Sequence, residues 1–427
     1  MANTSADTKS QHERPGGGVD SPLEVAVVGG GIIGLMVALG LLRRGLHVTI
    51  FEQAQELGEI SAGFAFTAVA RECMRRLDPR LVEALDRVGG SEPSCIQSLL
   101  GRIQPNERSR GSVTRGVALQ VLAEYTDDET KNKVTLSFTD GSSTEVDCVI
   151  GCDGIRSRTK QLLLGQDSLA SYPTFSHKVA YRAVIPIDDA IAAFGHEKAN
   201  NQCTHMGLDA TVISYPVAQW TLSNIVIFIH QPDPWTHEKM TAPATKDEIW
   251  GHLSGWSPSI QKMVESLPEK LTKWAIFDTA DNPATTYARG RVCIAGDAGH
   301  ASSPFLGAGA CMGVEDALVL SVALDLATDH IQEEGTHTRK LAISSALEAY
   351  SDVRRDRSQW LVRASREVGD LYQWRNRVTG RDTSKCRTEL EKYQRKLWDW
   401  NVDEMVTETG YNFLRLMEPK ELEDCSL

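Results

Sequence analysis

The sequence predicts an α/β protein in which a Rossmann-type dinucleotide-binding domain is interrupted by an antiparallel-sheet domain and followed by C-terminal helices. Three observations carry that prediction. A charge-free run from Val25 to Leu42 breaks at three glycines into a strand and a helix, and residues 172–280 turn from strand–helix alternation to successive strand-like runs. Beyond residue 340 the chain becomes helical in spacing and rich in charge and tryptophan. With 427 residues, 41% hydrophobic and 24% charged, there is length for two or three domains and a large core.

The opening stretch, Met1 to Ser21, is polar and Gly-rich and lacks the apolar centre of a signal peptide, so residues 1–21 are expected to form a flexible tail. At the other end, Asp424-Cys425-Ser426-Leu427 puts the cysteine third from the terminus, whereas prenylation needs it fourth. Lys and Arg number 45 against 57 Asp and Glu, a net charge of −12. That balance argues against a nucleic-acid partner, whose phosphates are bound by clustered cations. The nine cysteines are scattered without CxxC spacing and read as reduced thiols in a cytoplasmic setting, with no metal site. A small-molecule enzyme without a membrane partner, monomeric or homodimeric, is the expectation.

Hydropathy alone would make Val25–Leu42 a membrane span. Its interior breaks that reading: Val25-Ala26-Val27-Val28 is a short buried strand, Gly29-Gly30-Gly31 a turn, and Ile32 onward has helical spacing. Arg43-Arg44-Gly45 ends the helix and His47-Val48-Thr49-Ile50-Phe51 starts the next strand, which completes a β-α-β unit. The turn reads Gly29-x-Gly31-x-x-Gly34, with Glu52 closing the second strand. In such a fingerprint the first glycine permits the tight turn, the second lets the backbone approach a pyrophosphate, and the third lets helix lie against strand. Phosphates then sit on the free N–H groups of the helix start, and Glu52 is placed to accept from an adenosine ribose. FAD and NAD both satisfy this pattern.

Two later motifs add to it. Asp147-Cys148-Val149-Ile150-Gly151-Cys152-Asp153-Gly154-Ile155-Arg156-Ser157 is a buried strand running into an acidic glycine turn. Arg291-Val292-Cys293-Ile294-Ala295-Gly296-Asp297-Ala298-Gly299-His300 is another strand ending in Gly-Asp, followed by Pro304-x-x-Gly307-x-Gly309 and an apolar helix with Glu315 and Asp316. A carboxylate at a strand end beside glycines suits a ribityl hydroxyl, and a Gly-rich helix start offers N–H groups to an anion or carbonyl.

With the three motifs in this order the chain resembles the class A flavoprotein monooxygenases, the family of para-hydroxybenzoate and salicylate hydroxylases. The resemblance implies that Gly29, Gly31, Gly34 and Glu52 bind the ADP part of FAD and that Asp153, Gly154 and Arg156 contribute to FAD and NAD(P)H handling. It further implies that Gly296 and Asp297 hold the ribityl chain and that Pro304, Gly307 and Gly309 lie beside the isoalloxazine, with Gly63 and Ala310 completing the cofactor set. NADPH or NADH would dock transiently as reductant. The implied organisation is an FAD-binding domain in two parts, residues 22–171 and 281–340, around a substrate domain at 172–280, with a C-terminal helical region at 341–427.

In the substrate domain, Lys178–Ile185, Ala210–Pro216 and Trp220–His230 read as strands of an antiparallel sheet able to roof the flavin and exclude water. The stretches Ser176–Arg182, Ser214–Ala218, Trp274–Thr279 and Gly307–Cys311 resemble those of fungal polyketide-tailoring members that hydroxylate, and often dearomatise, resorcinol-type rings. In that chemistry a flavin C4a-hydroperoxide delivers electrophilic oxygen from O2, so the phenol reacts best when ionised. A phenol resembles Tyr, with a pKa of about 10, and a nearby guanidinium lowers an acid's pKa by ~1–3. Matching family positions give that part to Arg182 and a hydrogen-bonding or orienting part to Tyr215. An ion pair on an exposed strand face remains open for Arg182, and a core aromatic for Tyr215. His177, His205 and His300 are weaker candidates for a general base.

One region departs from the family pattern. Residues 90–122 appear shortened by a few tens of residues where family members carry a helix that sends an Arg toward the FAD pyrophosphate, and hold instead Arg102, Arg108, Arg110 and Arg115 among Pro, Asn, Ser and Gly. A local arginine substitutes, the gene model is mis-spliced, or the chain has lost activity. The expected function is FAD-dependent hydroxylation of a phenolic, polyketide-derived ring in secondary metabolism. The rivals are an epoxidase or indole monooxygenase of the same fold, and an inactive relative.

Overall fold

In the computed structural model, which describes residues 21–53, 66–88, 114–115, 122–128 and 132–418, the first apolar run of the described residues forms β1 (Glu24–Val28). Every residue of β1 after Glu24 is buried, as befits a strand covered on both faces. The helix α1 (Ile32–Leu42) returns the chain to β2 (His47–Phe51), which pairs in parallel with β1. After α2 (Ala68–Leu77) and α3 (Pro79–Val88), the short β3 (Thr114–Arg115) lies parallel to β2. An antiparallel meander of β4 (Leu122–Asp128), β5 (Lys133–Phe138) and β6 (Ser143–Val146) then leads to β7 (Cys148–Gly151), the other parallel neighbour of β1. Among the described residues no helix is long and apolar enough to cross a membrane, so Val25–Leu42 is a strand, a turn and a helix.

Beyond α4 (Arg158–Leu164) the chain enters a second sheet. It comprises β8 (Thr174–Pro186), β9 (Cys203–Gly207), β10 (Ala210–Val217), β11 (Leu222–His230), β12 (Thr241–Thr245) and β13 (Lys270–Asp278). Their order is β12-β13-β8-β11-β10-β9, and every pairing is antiparallel. One face is covered by α5 (Ile187–Phe194), α6 (His196–Ala199), α7 (Lys246–Leu253) and α8 (Pro258–Glu265). Strand alternation sets the faces: Val179, Tyr181 and Ile185 pack on those helices, while Ala180 joins Val226, Phe228, Ile276, Phe305 and Val368 on the other side.

The chain rejoins the first sheet through β14 (Ala288–Arg289) and β15 (Val292–Ile294), giving the order β14-β15-β7-β1-β2-β3. The helices α9 (Asp297–His300), α10 (Gly309–Glu334), α11 (Arg339–Tyr372), α12 (Thr383–Trp398) and α13 (Val402–Met417) follow. Two details correct the sequence expectations. The strand predicted from Trp220 begins at Leu222, because Ala218, Gln219 and Trp220 take left-handed φ values of 48°, 54° and 61° and make the hairpin turn. Of the C-terminal tryptophans, Trp360 and Trp400 pack on the main core, but Trp398 is 53% exposed.

Candidate active site

Strand register brings the three glycine motifs to one edge. Val28 is level with Phe51 and with Gly151, and Gly151 with Ile294, so Gly29, Glu52, Asp153 and Gly296 all emerge at the carboxyl ends of parallel strands. Ligands of open α/β sheets bind at that edge, where the chain order reverses. Gly29 sits at φ 103°, and a Cβ there would stand 2.4 Å from the Cys152 carbonyl oxygen. A Cβ on Gly34 would stand 2.0 Å from the Gly29 oxygen. Gly31 differs: at φ −68° a Cβ would meet nothing within 4 Å. No described residue requires glycine there, which leaves an approach for a ligand to the backbone. Gly31 caps α1 with no side-chain hydrogen bond and no acid in the first turn, which leaves the helix N–H groups and the positive dipole end unclaimed. Glu52 Oε2 accepts from the Gly30 N–H at 2.6 Å and so ties the second strand to the turn.

A second uncapped helix start stands alongside. α10 opens at Gly309 behind Ala308 with neither a capping side chain nor an acid in its first turn. Ile33 of α1 fills the space over Gly313 and lies against Gly296: a Cβ on the first would fall 2.5 Å from it, and one on the second 3.2 Å. The two helix starts therefore flank the Gly296–Asp297 turn. Asp297 alone in the run 291–300 is exposed, yet the protein around it is dense enough to push its carboxyl above the usual range, with His300 opposing. Both hold for a group on the floor of a cleft. Pro304 and Gly307 are also exposed, and Ala310 is half-buried.

Behind that turn lies a cluster of buried charge that sequence reasoning named only as part of an apolar helix. Asp316 accepts from the Gly296 N–H at 3.0 Å, meets His300 Nε2 at 2.6 Å and accepts from Arg354 Nε at 2.9 Å. Arg354 also pairs with Glu315 at 2.7 Å, and Arg357 grips the same carboxylate through Nε at 2.8 Å and Nη2 at 3.0 Å. Burial acts to raise the Asp316 carboxyl, but His300, Arg354 and the Gly296 N–H outweigh it and hold it at about 2. His300 is thereby a buried clamp on the turn.

The Asp-Gly motif is arranged differently from its neighbour. Asp153 Oδ1 accepts from Ser157 Oγ at 2.5 Å, and Oδ2 accepts from the Thr159 N–H at 2.9 Å, so this carboxylate fixes the start of α4. Arg156 is exposed and donates to the Glu238 carbonyl at 2.8 Å, a link to the connection between β11 and β12. Gly154 takes φ 77° between them. Gly63, Arg102, Arg108 and Arg110 lie outside the described residues, while the Arg115 backbone is level with Ile50.

The uncovered face of the second sheet meets this region through the segment that follows the Gly-Asp turn. Phe305 packs on Phe228 with ring centroids 4.6 Å apart, and Leu306 packs in the same cluster. On that face β11 runs between β8 and β10, with Val226 opposite Arg182 and Asn224 opposite Tyr215. Among the described residues Arg182 has no carboxylate partner; its guanidinium stands 5.4 Å over the Trp274 ring and its buried Nε has no acceptor. Burial pushes the Tyr215 phenol up, opposed by the Arg182 charge and the Asn224 amide. Asn224 is buried, and its Nδ2 faces the Tyr215 hydroxyl without completing a hydrogen bond to it or to any other described residue. Sequence reasoning missed it, although a lone carboxamide at the head of the apolar run Ile225–Ile229 was the available signal. His177 is exposed and bonded to Gln231 O at 3.3 Å, and His205 stacks on Phe194 on the helix-covered face, so neither adjoins Arg182.

Comparisons with known proteins agree with this geometry. A family model described as FAD binding domain matches residues 93–365, and one described as FAD dependent oxidoreductase matches residues 24–97. An FAD-dependent monooxygenase of Aspergillus terreus is 45% identical over 432 residues, covering 93% of this chain and 98% of the relative. One from Monascus ruber is 41% identical with the same coverage of both chains. A solved salicylate hydroxylase substrate complex is 28% identical, covers 91% of this chain and 98% of its own, and superposes with a TM-score of 0.74.

Proposed function

This chain belongs to the FAD-dependent monooxygenases, and we propose that it hydroxylates a phenolic, polyketide-derived ring, with dearomatisation where the carbon attacked already bears a substituent. The residues fit FAD: among the described residues there is an open approach over Gly31, two unclaimed helix starts, and Asp297 without a donor on a cleft floor. Gly29, Gly31, Gly34 and Glu52 would hold its ADP part, and Gly296, Asp297 and the Pro304–Ala310 segment its ribityl and ring part. Bound FAD, reduced by NADPH or NADH, supplies activated oxygen.

The protein's part is to present the phenol as its anion. A free phenol titrates near ~10, and a guanidinium a few ångströms away lowers that by ~1–3. Arg182 supports this reading better than any other residue, because a guanidinium beside an aromatic ring with no carboxylate partner is a cation kept for a ligand. Tyr215, on the same face, orients the ring oxygen. The packing of Phe305 and Leu306 against that face encloses it in apolar surface, which keeps water from the reacting atoms.

A shortened chain is supported by the alignment lengths, and we infer that the gap falls at residues 90–122: 432 positions are aligned to the Aspergillus relative, while 93% of 427 residues is about 397. About 35 relative positions therefore lack a counterpart, and we infer that an arginine near Arg115 serves the pyrophosphate instead. The decisive experiment gives purified protein FAD, NADPH and resorcinol aldehydes. A product heavier by one oxygen, dependent on both cofactors, is expected; colourless protein that takes up no FAD would sink the enzyme reading. Equal turnover of O-methylated and free phenols would favour epoxidation instead.

A further inference from the structure

We propose that Asn224 and Arg182 together form a two-donor seat for one anionic oxygen of the aromatic substrate, with Asn224 setting the preference for the ionised ring. The inference rests on the hydroxylase reading above and assigns Asn224, which has no motif, a part in choosing the substrate.

Asn224 lies on β11, the strand between the one carrying Arg182 and the one carrying Tyr215. Its side chain shares their face, since Val226, two residues on, stands opposite Arg182 and packs in the Phe305 cluster. The residue is 1% exposed, and its Nδ2 completes no hydrogen bond among the described residues. Arg182 Nε, one strand away and diagonal to it, is a second buried donor on this face without an acceptor among the described residues, with Thr211 Oγ1 a third, farther along β10 and level with Phe228. Buried donors are nearly always paired, so two orphans on neighbouring strands of one apolar face call for a missing acceptor between them. One oxygen with several lone pairs and a full charge satisfies both strongly; an aryl ether oxygen, a weak acceptor crowded by its alkyl group, satisfies at most one, and an apolar ring edge satisfies neither. Asn224 also acts on Tyr215 in the sense that favours negative charge on a phenolic oxygen, which is the charge a substrate phenolate presents. A neutral amide in this position stabilises an anion without bringing a counter-charge that would trap Arg182.

Phenolate and carboxylate share this chemistry, and the test separates them. The FAD-loaded, oxidised protein is titrated with 2,4-dihydroxybenzaldehyde, with its O-methyl ethers and with 2,4-dimethoxybenzoate, for wild type, Asn224→Leu, Asn224→Asp and Arg182→Ala. Wild type is expected to bind the aldehyde with the absorption of its phenolate and at least ~10-fold tighter than the ethers. Asn224→Leu should weaken the phenol ~10-fold or more while leaving the ethers unchanged, and Asn224→Asp should weaken it further by repulsion. The same selective loss seen for dimethoxybenzoate rather than the aldehyde also supports the seat, with a carboxylate as its occupant. If Asn224→Leu keeps both the phenolate band and the preference for phenol over ether, the proposal is overturned while hydroxylation by the wild type stands. If wild type binds phenol and ether alike and still adds oxygen, the seat fails as well. If no oxygen is added, the hydroxylase reading fails separately.

Discussion

The carboxyl edge of the parallel sheet and the open face of the antiparallel sheet are both built to receive a ligand, but from different parts of the chain. At the edge the receiving groups are backbone: uncapped helix starts at Gly31 and Ala308, and an open approach over a glycine, braced from behind by a buried cluster of Glu315, Asp316, Arg354 and Arg357. On the face they are side chains, Arg182 and Asn224, held by strand register and left with unpaired donors. Backbone sites are stabilised by the fold whether or not a ligand is present. Side-chain sites of this kind cost the fold something, because a buried donor without a partner is worth about 1–3 kcal/mol of lost stability.

The largest effect expected from that difference lies behind the edge. Arg354→Ala leaves Asp316 buried with His300 as its remaining side-chain partner and Glu315 with Arg357, and breaking a buried pair from one side costs about 3–5 kcal/mol. Urea denaturation should show that loss, together with release of FAD as the Gly296 turn loosens. A loss under about 1 kcal/mol would mean that the cluster does not brace the turn. Next in size is Arg182→Ala on the face. Stability should hold or rise, by up to about 1–3 kcal/mol as the unpaired buried donor is removed, while kcat/KM near neutral pH falls ~10- to 1000-fold and recovers at alkaline pH, where the free phenol ionises unaided. An unchanged pH profile would remove Arg182 from phenol ionisation.

A pair of glycine substitutions sharpens the comparison within the edge itself. Gly34→Ala forces a methyl to 2.0 Å from the Gly29 oxygen, so melting temperature and FAD affinity should fall together, by about 1–3 kcal/mol in stability. Gly31→Ala adds a methyl that touches no protein atom and suits its φ, so the apo-protein should keep its stability within about 0.5 kcal/mol while FAD binds more weakly. If Gly31→Ala leaves flavin affinity intact, the open space is not the pyrophosphate approach.

These two regions also differ in how much of them the sequence disclosed, for the same physical reason. A backbone site is written as fixed spacings: Gly29, Gly31 and Gly34 within one turn, and Gly296-Asp297 before a Gly-rich helix start. Such spacings survive without knowledge of tertiary contacts. The face depends on which of six strands are neighbours and in what register, which no local pattern encodes, so Arg182 and Tyr215 came only through resemblance and Asn224 not at all. Asp153 shows the limit on the other side. Its motif was legible, but the Ser157 and Thr159 hydrogen bonds that engage its carboxylate depend on how α4 begins. The buried charge cluster joins α10 to α11, one helix apolar in composition and the other crowded with charge, so no local pattern singled out the pairing of Asp316 with Arg354.

The smallest effect tests whether the contrast between backbone edge and side-chain face is complete. Lys160, in the first turn of α4, is 1% exposed with no partner for its Nζ, and burial pushes it down to about 8. An unfolded lysine titrates near ~10.4, so the unfolded chain holds the proton more tightly than the folded one. The penalty is then full below about pH 8 and fades as pH rises through ~10.4. Lys160→Met should stabilise the protein by about 1–3 kcal/mol near pH 7, with the gain shrinking at higher pH, and should leave FAD affinity unchanged. The measurement is urea denaturation of both proteins at neutral and alkaline pH, beside flavin titration. A variant that gains no stability but loses flavin would make Lys160 an orphan donor aimed at the cofactor, and the edge would then use side chains as the face does.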